Sequence, residues 1–127
     1  MNFARRVFLL SGIWGIVVLA PMYFLEGTIG QRTPPPVTHP EYYYGFVGVG
    51  LVWQLLFLMI SYNPVRYRPV MLIAILEKVS FGLAVPMLFA AHRVDGWVFV
   101  GGLIDLAWAV SFAVAYGKMP AETGIRN

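Results

Sequence analysis

The sequence predicts an all-α protein, a four-transmembrane-helix antiparallel bundle with both termini in the cytoplasm. Three observations carry that prediction. Hydrophobic residues make up 59% of the 127 positions and charged residues only 12%, too apolar a balance for an ordinary soluble domain. Four apolar runs, each about 19 to 23 residues long, alternate with polar segments, and about 20 residues suffice for a helix to cross a bilayer. Lys and Arg are distributed unevenly: Arg5, Arg6, Arg66, Arg68, Lys118 and Arg126 fall on one side of the runs, and only Arg32 and Arg93 on the other. The positive-inside rule assigns the richer side to the cytoplasm.

The first span is expected over residues 7–25. Arg5 and Arg6 ahead of an apolar run also resemble the start of a secretory signal. A small-residue cleavage site would fall at Val18-Leu19-Ala20, but Pro21 follows directly and the apolar run continues through Leu25, so the segment is read as a retained helix. Ser11, Gly12 and Gly15 give it a small face for close packing, and Pro21 removes the donor that would bond the Val17 carbonyl. Residues 26–41 read as an outer loop, stiffened in an extended form by Pro34, Pro35 and Pro36. Thr38 or His39 can cap the next helix with Pro40 at its first position.

The second span is expected over residues 42–62, with Tyr42, Tyr43 and Tyr44 at the level of an interfacial aromatic belt and Gln54 near mid-membrane. Asn63 to Arg68 form a basic turn, and Pro69 opens the third span, residues 69–91, interrupted by Pro86 near its far end. A short connection at His92 to Asp95 leads to the fourth span, residues 96–116, followed by a polar cytoplasmic tail, residues 117–127. The whole chain, residues 1–127, forms a single integral membrane domain.

Four polar side chains remain inside the spans: Gln54, Glu77, Lys78 and Asp105. Glu77 and Asp105 lie roughly 13 to 15 Å from their nearest boundary, close to the midplane of a ~30 Å core. One Asp or Lys at a helix centre costs about 2.5 to 3.5 kcal/mol on insertion scales, so these groups imply compensation within the bundle. Taking spans two and three as antiparallel neighbours brings Gln54 nearly level with Glu77 and predicts their pairing. Lys78 and Asp105 are offset by roughly 4 to 6 Å along the axis, so a direct bridge between them requires a helix shift or a lysine bent against its usual lean.

Other chemistries find no support in the residues. Zero cysteines exclude disulfide exchange and thiolate catalysis. His39 and His92 map near the outer surface, at no metal-ligand spacing, and no mid-membrane histidine could bind haem. There is no HExxH, nucleophile elbow or phosphate-cradling glycine loop, which argues against an enzyme, and no basic stripe suggests nucleic acid. Trp14, Trp53, Phe81 and Trp108 read as core fillers or lipid-facing residues, so no cofactor is expected.

The YGFVGVGLVWQ and NPVRYRP segments, four short spans and a proline-rich outer loop resemble small bacterial four-helix membrane proteins, and the general plan is similar to that of DoxX-like proteins. The resemblance is one of architecture and carries over no functional residue. Small multidrug resistance transporters share the size and helix count but use a carboxylate in the first helix, where this chain has none.

Two functional expectations result. In the first, an inner-membrane protein binds or passes a proton, a cation or a small polar or amphipathic ligand through Glu77, Lys78, Asp105 and Gln54. In the second, an accessory or structural subunit uses the same residues only to specify helix packing. The lipid bilayer is the expected partner in both, with a homo-oligomer or a second membrane protein completing so small a bundle.

Overall fold

The computed structural model describes residues 2–119, all helix and connecting turns. Helix α1 spans Asn2–Leu19 and continues as a 3₁₀ segment, Ala20–Phe24. The change falls at Pro21, whose missing N–H cannot bond the Val17 carbonyl, so the chain tightens there. The helix also begins earlier than residue 7, carrying Arg5 and Arg6 on its first turns.

The outer segment departs from the expected loop, because Glu26–Arg32 form a short helix, α2. Its local chemistry is favourable, with Glu26 in the first turn and Arg32 in the last, each complementing the helix dipole. Tertiary contacts hold it: the Tyr44 hydroxyl donates to Glu26 Oε1 at 2.9 Å, and Trp97 Nε1 donates to Thr33 Oγ1 at 3.0 Å. The chain then bends at Thr33 to Pro35 instead of running straight through the prolines.

Helix α3 spans Pro40–Tyr62, α4 spans Arg68–Ala90 and α5 spans Gly96–Lys118. His39 occupies the N-cap position of α3, yet its side chain makes no cap; its carbonyl accepts the Tyr42 N–H at 2.9 Å, and its ring lies 3.6 Å from Glu41. Pro86 lies inside a continuous α4. Helix α5 runs two residues past Tyr116, shortening the expected tail, and residues 120–127 of that tail lie outside the described part of the chain.

Among the described residues, four helices are long and apolar enough to cross a membrane. Their outward faces are apolar as well: Leu10, Val17, Val52, Leu76, Met87 and Val110 are all more than half exposed. That inverted distribution, with polar groups inside and aliphatic groups outside, suits lipid as the surrounding medium.

Packing follows two close pairs. Helix α3 lies chiefly along α1, and α4 along α5; α1 and α5 touch less, and α3 and α4 only sparingly although they adjoin in sequence. Small residues explain the pairing, since van der Waals contact rather than hydrophobic transfer drives association in lipid. Gly15 on α1 receives the side chain of Gln54, and Gly102 on α5 receives Val85 of α4. Of the small residues within a turn or so of Asp105 on α5, Gly102 and Ala109 are buried, whereas a side chain at Gly101 would meet nothing within 4 Å.

At the end holding the N-terminus, Phe8 stacks on Phe112 with ring centroids 4.2 Å apart, and Phe57 completes a triad at 6.2 and 5.1 Å from them. Around it Val7, Ile60, Met71 and Ala74 form the apolar core. The basic residues clasp the same end. Arg68 Nη2 donates to the Tyr116 carbonyl at 3.2 Å while its guanidinium lies 3.8 Å over the Tyr116 ring, and Lys118 lies 4.6 Å over Phe3. Arg68→Ala should therefore lower stability by about 1 to 2 kcal/mol through loss of the hydrogen bond and the cation–π contact. Thermal unfolding in detergent checks this, and an unchanged midpoint would remove the clasp from the account.

Candidate functional site

The buried stripe of α4 reads Met71, Ala74, Lys78, Gly82 and Val85, so the spacing that makes a helix face apolar delivers Lys78 to the bundle axis. Lys78 is only 4% exposed. Its Nζ lies 3.6 Å from Asp105 Oδ1 on α5, 4.0 Å from Glu77 Oε1 on its own helix, and 5.1 Å from the centroid of the Phe57 ring on α3.

One sequence expectation is met here and another changes. The Lys78 to Asp105 bridge forms. Gly82 sits against Leu106 and the Gly102 carbonyl, and Gly102 against Val85, so Lys78 is level with about residue 108 and Asp105 lies roughly 4.5 Å further out. A four-carbon stem covers that offset, so no displacement of the helices is required.

The Gln54 to Glu77 pair does not form. Gln54 Nε2 donates to the Gly50 carbonyl of its own helix at 2.8 Å, and the rest of its amide packs into the space left by Gly15 on α1. The physical reason is the choice of neighbour: α3 associates with α1, where glycines permit close approach, and barely with α4. Glu77, about 100° around the helix from Lys78, is left at the edge of the cluster with its Oε1 buried and without a hydrogen-bond partner. One turn further along α4, Phe81 stacks on Phe46 of α3 at 5.9 Å.

Electrostatically the cluster is unbalanced. Lys78 supplies one positive charge to two carboxylates, both about one-fifth exposed in their side chains. An ion pair with Asp105 leaves the Glu77 side chain to be neutralised by something else, since an isolated buried carboxylate is strongly disfavoured. Among the described residues no group of three or more His, Asp or Glu side chains is placed to hold a metal ion.

Phe57 is the residue that the sequence reading did not single out. It presents its ring face to the Lys78 ammonium, and its place three residues after Gln54, on the buried face of α3, is the signal that could have identified it. The tryptophans remain packing elements: Trp53 lies against Phe57, while Trp14 and Trp108 flank an open groove between α1 and α5. No family model matches this chain, and neither a curated protein nor a solved structure is significantly similar to it.

Proposed function

We propose that this chain is a multi-pass protein of the inner membrane, both termini cytoplasmic, that binds or passes a proton, a cation or a small polar or amphipathic ligand at Glu77, Lys78 and Asp105. One observation carries the proposal: two carboxylates gather around a single buried ammonium, and Glu77 Oε1 has no hydrogen-bond partner. A site built this way has room for one more positive charge. The topology is supported by Arg68, Lys118 and the α1 N-terminus meeting at one end of the bundle, where the positive-inside rule calls for basic residues. The resemblance in general plan to DoxX-like proteins bears on architecture alone.

Glu77→Gln and Asp105→Asn provide the test. In liposomes, each variant should lose most of the wild-type proton or cation uptake. If uptake is unchanged while thermal stability drops, the carrier reading fails.

A second reading, an accessory or structural subunit, draws on where the Lys78 to Asp105 bridge lies. It crosses between α4 and α5 one turn from Gly102, which packs directly against Val85 of α4, and so it can specify their register. Purification of a partner-free protein with full activity would count against that reading. Native mass spectrometry of the same preparation would show whether the bundle is a homo-oligomer.

A further inference from the structure

Three oxygens near the cluster are buried without a hydrogen-bond partner: Ser11 Oγ, Gln54 Oε1 and Glu77 Oε1. Leaving such groups unsatisfied costs about 1 to 3 kcal/mol each, so three in one layer require an explanation.

Helix phase places them together. Ser11 and Gln54 each lie three residues, about 4.5 Å, outward of Phe8 and Phe57 in the aromatic triad. Asp105 lies seven residues, about 10.5 Å, outward of Phe112, and the Lys78 ammonium faces the Phe57 ring. Ser11 belongs to the buried stripe Ala4, Phe8, Ser11 and Gly15 of α1, and Lys78 to that of α4. Helix α1 packs on α3 and α5, and α4 packs on α5 and only sparingly on α3, so α1 and α4 stand diagonally. Ser11, Gln54 and Lys78 are 0%, 2% and 4% exposed.

The separations within the cluster have the same character. At 3.6 and 4.0 Å the ammonium is within ion-pair distance of both carboxylates but beyond a good direct hydrogen bond, which leaves hydrogen-bonding capacity on all three groups for other partners.

We propose that internal water completes a hydrogen-bonded layer joining Ser11 and Gln54 to Lys78, Asp105 and Glu77 directly above the Phe8, Phe57 and Phe112 triad. Water there accepts from the Ser11 hydroxyl and the Lys78 ammonium and donates to Gln54 Oε1 and the carboxylates. Each water then gains the two to four polar partners that hold buried water in place. This inference rests on the carrier reading above and narrows its cargo to the proton. A hard metal cation requires six or more oxygen ligands and would sit beside the Lys78 charge, whereas a proton needs only the bridged chain. The aromatic triad closes the layer on the side of the N-terminus, so the proton reaches it from the opposite end.

Infrared difference spectroscopy of the full-length protein in ordinary and isotope-labelled water tests the layer directly. The wild type should show an isotope-sensitive O–H band from internal water. Ser11→Ala and Gln54→Met, which keep side-chain bulk close to the original, should each lose or shift that band and slow proton uptake in liposomes. A wild type without the band, or a band unchanged in both variants, overturns the layer. If the band responds but Glu77→Gln and Asp105→Asn leave uptake intact, the layer stands and the carrier reading falls. If uptake depends on Glu77 and Asp105 while the band ignores Ser11 and Gln54, the reading stands and the layer falls.

Discussion

Lys78→Met is expected to destabilise the protein by about 3 to 5 kcal/mol, the range for removing one partner from a buried ion pair. Methionine retains a stem of similar length against Phe57, so the loss isolates the charge from the packing. Without the ammonium, Glu77 and Asp105 are left as two carboxylates with no other basic side chain of the described residues within ion-pair distance. The triple variant Lys78→Met, Glu77→Gln, Asp105→Asn should recover most of the loss, because a neutral, shape-matched replacement of a buried ion network is often close to neutral in stability. Equilibrium unfolding in detergent micelles measures both. Wild-type stability in Lys78→Met alone would show that the carboxylates do not depend on the lysine, and the cluster would lose its role.

Gly102→Val is expected to cost about 2 to 3 kcal/mol, in the upper part of the range for overpacking. A β-carbon on residue 102 would come within 2.8 Å of the Val85 β-carbon, and neither atom can move without its backbone. The helices must separate, and α4 and α5 form the most extensively packed pair in the fold. Asp105 lies one turn further along α5, so the same separation stretches its 3.6 Å contact with Lys78. A double-mutant cycle with Val85→Gly should return part of the stability, since only glycine removes the β-carbon that the new side chain meets. No recovery in the double variant would place the clash elsewhere.

How much of this could be read from the chain differs between elements. The long helices and the glycines were legible because length, hydropathy and small-residue spacing are local properties. Glu77, Lys78 and Asp105 were legible as an anomaly, since charges at mid-span stand out against any apolar run. The pairing of those groups was not. Hairpin reasoning matched Gln54 with Glu77 because their helices adjoin in sequence, but Gly15 offered Gln54 a better neighbour on α1. Helix α2 was missed for a related reason, because its seven residues are too few to announce themselves and are held by Tyr44 and by Trp97 at Thr33, both distant in sequence.

By itself, then, the sequence determined four helices able to span a membrane, their basic end and the three charges buried among them, because each follows from composition along a single helix. Only the tertiary structure decided which helices embrace, that Lys78 reaches Asp105, and that Gln54 turns to Gly15 rather than to Glu77. Those outcomes depend on how closely two backbones can approach, and the approach is set by the glycines of one helix together with the side chains of another.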